Sequence, residues 1–356
     1  MSIHVTPMPF HQLSPQDLST WDALQRSDPA LASPYFRPEY VAAVAAVRPR
    51  TEVGVIRDGD SAVGFFPYER TLFNIAAPVG VKMTDYQGAI LRPGAAISTE
   101  DLLRGCHLSG YHFDHLASGQ ACLAGGVRTE SDSPCLDIRG GLDGYLSRIK
   151  SSQLDGWLRK RRKLARELGP LRVELQSRSE EVLQTLIAWK TAQYQRTEAP
   201  NVFAVQWTRD LVRRCWERGG DDFSGWLSAL YAGDKLIAVD LGLRCRNILH
   251  GWFPAYDVQY SQYSPGIALN LGIIEAAAAA GVTCIDLGRG TADYKQTLMS
   301  SANRVGEGAV SLGWAPRLLH EVWPRLRTRL RTSAMRRPIS WLGRATRSWR
   351  GYLAFR

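Results

Sequence analysis

The 356-residue chain is too long for one ordinary domain and suits two, each large enough to bury its own core. With 45% hydrophobic and 22% charged residues it is neither disordered nor fibrous. Its net charge of +10 does not belong to the body: between Arg317 and Arg356 stand eleven arginines and a single acid, Glu321, which account for the whole excess.

In chain order, Ser14-Pro15-Gln16-Asp17 offers an N-cap hydroxyl, a proline for the first helical position and an acid for the first turn, so a helix is expected to start there. A second short helix should run from Pro38 through Tyr40 to Val47. Residues 53–56 and 62–68 are β-rich runs around Asp58-Gly59-Asp60, the composition of a tight hairpin turn. Residues 226–231, Gly233-Asp234 and 236–243 repeat that arrangement, which suggests two similar halves. Residues 142–168 predict one long helix stopped by Gly169-Pro170, and the domain boundary is placed at its start. The expected organisation is thus residues 1–141, residues 142–314 and a basic tail over 315–356. Further strands are expected at 171–176, 247–253 and 282–287. Helices should start at Ser179-Glu180-Glu181, reaching Thr197, and at Pro265, reaching Ala280. Hairpins with one later helix crossing between two strands favour a mixed α/β (α+β) fold, mostly antiparallel sheets flanked by helices.

Six scattered cysteines without a close-spaced pair exclude a disulfide framework and a zinc ribbon, and predict reduced, mostly buried thiols. His107, His112, Asp114 and His115 lie close together. On a strand, however, His112 and Asp114 share one face while His115 takes the other, so no metal site is expected. The absence of a leader pattern and of an apolar run of about 18 residues gives the expectation of a cytoplasmic protein. The basic run from Arg159 to Lys163, with Arg166, reads as a solvated helix face.

Two segments carry chemistry. Tyr263-Ser264-Pro265-Gly266 opens a helix after a strand and a loop, where free backbone amides and the helix dipole suit a pyrophosphate; an ordinary cap has the same sequence. Asp286-Leu-Gly288-Arg289-Gly290, followed by Asp293-Tyr294-Lys295, gathers polar groups where a sheet opens into a cleft.

With these motifs and Trp189-Lys190-Thr-Ala-Gln193-Tyr194-Gln-Arg196-Thr197, the chain resembles GNAT-like acyltransferases of the CelD/BcsL type from cellulose and exopolysaccharide biosynthesis. It is more distantly similar to Fem-type aminoacyltransferases. Asp85-Tyr86-Gln87-Gly88 looks like the first domain's signature. The resemblance implies two tandem GNAT-like domains, the second binding acetyl-CoA or another acyl-CoA without a metal. Its donor residues would be His250, Trp252 and Phe253 on the pantetheine strand and Ser264, Pro265 and Gly266 at the pyrophosphate. Lys190, Tyr194 and Tyr256 would bind the acceptor, a sugar or polysaccharide precursor. Lys295 would stabilise a developing oxyanion, Arg289 hold the acceptor and Tyr294 protonate the leaving thiolate. Asp286 ranks first as base, ahead of His250 and Asp240; pairing of Asp286 with Arg289 is the structural alternative. The rivals are a Fem-like enzyme using aminoacyl-tRNA and a non-catalytic scaffold. The arginine- and tryptophan-rich tail suggests contact with an anionic inner-membrane surface in preference to nucleic acid.

Overall fold

A computed structural model of the protein describes residues 3–149, 152–290 and 292–313. The basic tail lies outside them, and with it the expectation of membrane contact. The chain divides into two compact units. Among the described residues, one takes 3–130, Glu198–Thr208 and 305–313; the other takes Ser131–Thr197 and Arg209–Arg304.

The first unit contains β1 (Ile3–Pro9), α1 (Pro15–Ser27), α2 (Pro38–Ala45), β2 (Thr51–Asp58), β3 (Ser61–Arg70), β4 (Ile75–Ala77), β5 (Ile90–Leu91), α3 (Thr99–Gly105), β6 (Gly110–Ala117) and α4 (Ala121–Ala124). A reciprocal capping box between Ser14 and Asp17 starts α1 as expected. The strand order is β1-β2-β3-β4-β6, with residues 305–311 pairing on β6 and β5 on β3. Among its described strands only β4 and β6, with an isolated bridge between Gln87 and Leu116, run parallel. Trp21 of α1 stacks on Phe65 with ring centroids 4.9 Å apart. The adjacent Phe66 points to the opposite face, into a core with Tyr68, Tyr111, Leu102 and Leu103.

The second unit contains β7 (Val127–Asp137) from Ser131 onward, α5 (Gly141–Arg148), α6 (Ser152–Leu168), β8 (Leu171–Glu174), α7 (Glu180–Thr197), α8 (Gln206–Glu217) from Arg209, β9 (Ser224–Ala232), β10 (Lys235–Cys245), β11 (Ile248–Tyr256), α9 (Pro265–Ala279), β12 (Cys284–Asp286), α10 (Asp293–Leu298) and the start of β13 (Ser301–Ser311). Its strand order is β7-β12-β11-β10-β9-β8, antiparallel except for β11 with β12. The fold class is therefore the expected mixed α/β one. The repeated hairpins are real, and Gly59 and Gly233 turn them with φ of 60° and 56°. α9 is apolar on nearly every side and buries Leu269, Leu271, Ile273 and Ile274. It lies so close to β8 that a Cβ at Gly272 would come within 2.4 Å of Val173 Cγ2.

Two expectations change. The long helix over 142–168 is two helices, because Ile149 takes extended backbone at φ −116° and ψ 115°. The strand expected at 282–287 forms its ladder only over Cys284–Asp286. None of the six cysteines forms a disulfide; five are buried and Cys284 is half-buried. No helix among the described residues is long and apolar enough to cross a membrane.

Candidate active site

The site grows from a place where two parallel strands part. β11 and β12 pair at Ile248 with Cys284, Leu249 with Ile285 and His250 with Asp286. There β12 ends, while β11 continues to Tyr256. Just past the parting, Leu241 of β10 faces Phe253 and the next residue, Gly242, faces Gly251, so Trp252 is the extra residue of a β-bulge that re-aims the strand.

A 3-10 turn, Val258–Tyr263, leads from β11 to α9. Ser264 caps α9 in the left-handed region, at φ 54° and ψ 58°, and its carbonyl accepts the N–H groups of Ile267 and Ala268. A Cβ at Gly266 would meet only Tyr256 Cδ1, at 3.9 Å, so this turn is open to close approach. Lys160 of α6 places Nζ 3.2 Å from Ser264 Oγ. Lys163 sits 5.8 Å over the Tyr263 ring, whose hydroxyl donates to Glu167 at 2.6 Å. Part of the basic run taken for a solvated face thus supplies amines to the start of α9, where the helix dipole already favours an anion. The residues expected to hold a pyrophosphate are together here with a cation that the sequence did not assign to them.

Asp286, at the parting itself, is buried and accepts hydrogen bonds from Ser133 Oγ at 2.6 Å, Gly288 N at 2.8 Å and Asn303 Nδ2 at 3.3 Å. His250 is fully buried beside it, with Nδ1 3.6 Å from Oδ1. Trp252 and Phe253 follow on β11, ring centroids 4.8 Å apart. Lys295 of α10 donates to the carbonyls of Leu287, Gly288 and Arg289 at 2.6, 3.0 and 3.3 Å. Asp286 and Lys295 therefore grip, from its amide and carbonyl sides, the loop that carries Arg289.

Asp240 of β10 is the acid that the sequence ranked behind Asp286 and His250. It is buried, and its Oδ1 finds no hydrogen-bond partner among the described residues. Burial pushes its pKa up to about 6, against the pull of Lys190, His250 and Lys295. Gly251 leaves it uncovered: a Cβ there would stand 3.7 Å from Asp240 Oδ2 and 3.7 Å from the Asp286 carbonyl. A void of about 10 Å³, room for one water, separates Asp240 from Trp226 and Ser228. The signal in the sequence is a lone acid inside the apolar run Leu236-Ile-Ala-Val-Asp240-Leu-Gly-Leu243. Tyr294 lies near enough for Asp240 to raise its pKa, which burial takes to about 12. Lys190 of α7 donates to the Pro254 carbonyl at 3.0 Å and lies 5.4 Å over the Tyr194 ring; burial holds its amine below the usual lysine range. Tyr256 ends β11 on the side that α7 covers.

The corresponding parallel pair of the first unit is filled. Gln87 donates Nε2 to Thr84 O at 3.1 Å and Asp114 Oδ1 at 2.7 Å, while its Oε1 accepts the amides of Asp114 and His115 at 3.0 and 3.1 Å. Asp85-Tyr86-Gln87-Gly88 is thus a structural plug. Among the clustered polar residues there, His115 Nδ1 meets Asp114 Oδ1 at 3.0 Å and Lys82 pairs with Asp114.

Residues 152–296 match the acetyltransferase (GNAT) domain family. That match makes the chain an acyltransferase, and domains of this family take an acyl-coenzyme A donor. Solved structures share the fold at low identity. FemX aligns with a TM-score of 0.58 and 10% identity, over 89% of this chain and 99% of that one. The C-terminal domain of an Agrobacterium fabrum protein assigned as a lysylphosphatidylglycerol synthetase gives 0.53 and 13%, over 86% and 95%. A Bacteroides thetaiotaomicron protein of unknown function gives 0.55 and 9%, over 83% and 97%. No curated protein sequence matches the chain.

Proposed function

We propose that the second unit transfers an acyl group from acetyl-CoA or a longer acyl-CoA to an amine or hydroxyl of a sugar or polysaccharide precursor, as in the CelD/BcsL-type enzymes that the sequence resembles. The observation that carries this reading is the parting of β11 from β12 beside an α9 start lined by Lys160, with a buried carboxylate, Asp240, under the opening. The Gly266 amide at the start of α9 and the Lys160 amine bind the diphosphate, with Pro265 fixing the turn, and β11 from Trp252 onward lines the pantetheine. The bound donor supplies a thioester carbonyl. Asp240 takes the proton from the attacking N–H or O–H as the new C–N or C–O bond forms and the C–S bond breaks, and Tyr294 gives a proton to the leaving sulfur. Asp286 and Lys295 hold the loop that presents Arg289 to the acceptor, whose other contacts come from Lys190, Tyr194 and Tyr256. In this reading the Lys295 amine, engaged with loop carbonyls, positions the loop rather than the oxyanion.

Transfer of a labelled acyl group from a panel of acyl-CoAs to sugar acceptors tests the reading: turnover with at least one acyl-CoA, lost in Asp240→Asn, is expected. The fold likeness to FemX favours a second reading, aminoacyl transfer from charged tRNA, and transfer from aminoacyl-tRNA with none from any acyl-CoA would establish it instead. Unchanged cellular function in Asp240→Asn, with loss on deleting residues 317–356, would identify a scaffold. The eleven arginines of that tail fit a peripheral place on the cytoplasmic face of an anionic membrane.

A further inference from the structure

We propose that the hollow between α7 and the end of β11 binds the acidic sugar ring of the acceptor, with Arg196 pairing to its carboxylate or phosphate. The proposal rests on the acyltransferase reading and names the class of acceptor.

The hollow has a volume of about 140 Å³ and is lined by Trp189, Gln193, Arg196, Tyr256, Asp257 and Val258. That is room for several waters, the scale of one sugar ring. Two aromatic side chains, Trp189 from the helix and Tyr256 from the strand, line it. The C–H face of a pyranose is apolar and lies against such surfaces, while its hydroxyls need a few fixed polar partners. Gln193 supplies an amide, which both donates and accepts, and the structure gives it no side-chain bond to another described residue.

Arg196 sets the charge. Its exposed guanidinium makes no ion pair with any described residue, so it is available to an anion that enters the hollow. A planar five-donor fork at a ring-sized hollow selects a carboxylate or a phosphate. Asp257, the acid on the rim, has Oδ1 committed to the Gln259 amide at 2.9 Å, where it caps the turn after β11, and its second oxygen suits a hydroxyl. A neutral sugar would leave the arginine unused, and a carboxylate without hydroxyls would leave Gln193 and Asp257 unused. An acidic sugar uses all three.

The walls are fixed before any ligand arrives. Lys190, next to Trp189 on α7, is anchored to the Pro254 carbonyl of β11 at 3.0 Å, which pins helix to strand less than two turns from Arg196. The same amine acts electrostatically on Asp240, the proposed base.

Ligand-observed NMR on the full chain, titrated with glucuronate, glucose 1-phosphate and glucose, tests this without requiring turnover. At least one of the two acidic sugars should bind tenfold or more tightly than glucose, and the comparison of the two separates carboxylate from phosphate as the anion. Arg196→Gln, on an exposed side chain, should erase that preference with the melting temperature unchanged. Equal binding of all three sugars, or a preference that survives Arg196→Gln, overturns the proposal. So does weaker binding of coenzyme A, but not of its 3′-dephospho form, in Arg196→Gln, because the hollow would then belong to the donor. Calorimetry of Arg196→Gln with acetyl-CoA, expected to match the wild type, separates failure here from failure of the acyltransferase reading.

Discussion

Three carboxyl groups near one opening do different work, and burial alone does not separate them. Asp286 is buried and fully bonded; Asp240 is buried with an oxygen that has no partner, which is the costly state for an ionised group. The third, Asp257, caps a turn. With its pKa pushed to about 6, Asp240 is mostly ionised at neutral pH and competent to accept a proton. The rate of acyl transfer should therefore fall about tenfold per pH unit below 6 and level off above it, and Asp240→Asn should lower turnover by about a hundredfold or more and abolish that limb. The same shift has a sign in stability. A carboxyl whose folded pKa is raised destabilises the fold once ionised: the cost is absent below the ordinary aspartate range and complete above about 6. From 3.8 to about 6 at 1.36 kcal/mol per unit, Asp240→Asn should gain up to about 3 kcal/mol at pH 8 and nothing near pH 3, read from thermal unfolding at the two pH values. For Asp286→Ala the sign reverses: the Ser133, Gly288 and Asn303 donors lose their acceptor, and a loss of about 1–3 kcal/mol per stranded buried donor is expected. The sequence placed Asp286 ahead of Asp240 because a strand-end acid beside glycines resembles a cleft; which acid the surrounding donors have already satisfied depends on Ser133 and Asn303, remote in the chain.

At the scale of elements, the start of α9 was legible and its cation was not. Pro265 and Gly266 announce a helix start open to an anion, whereas Lys160 reaches Ser264 only because α6 lies along α9, a tertiary fact. Gly266→Ala separates binding from folding: the added methyl meets nothing closer than 3.9 Å, so the melting temperature should hold, while acyl-CoA affinity drops tenfold or more. The loop from Leu287 to Gly290 answers to Lys295 in the same way. Lys295→Met should slow turnover with the KM for acyl-CoA little changed, and Lys295→Arg should restore part of the rate. Equal loss in both variants with unchanged pH dependence would leave Lys295 only a structural role. The paired hairpins were readable because Gly-Asp turns between apolar runs are local. The plug formed by Gln87 was not, since it depends on amides of β6 some thirty residues away.

For the molecule as a whole, alternation of runs and turns revealed the mixed α/β class, but not that residues 198–208 and 305–313 return to the first unit. Those returns are long-range pairings that no local pattern encodes, such as Val305 with Ala117. The concentration of charge in the tail was fully legible from the sequence. At about 1 kcal/mol per cation near an anionic surface, the full chain should sediment with phosphatidylglycerol vesicles and not with phosphatidylcholine vesicles, and removal of residues 317–356 should abolish the difference. The claim on which all else depends is that the cleft between β11 and α9 takes a thioester carrier. Isothermal calorimetry of the full chain against acetyl-CoA and longer acyl-CoAs tests it most directly. Saturable binding of at least one, weakened tenfold or more by Gly266→Ala, is the result the account predicts; no heat with any of them, at two temperatures, would contradict it.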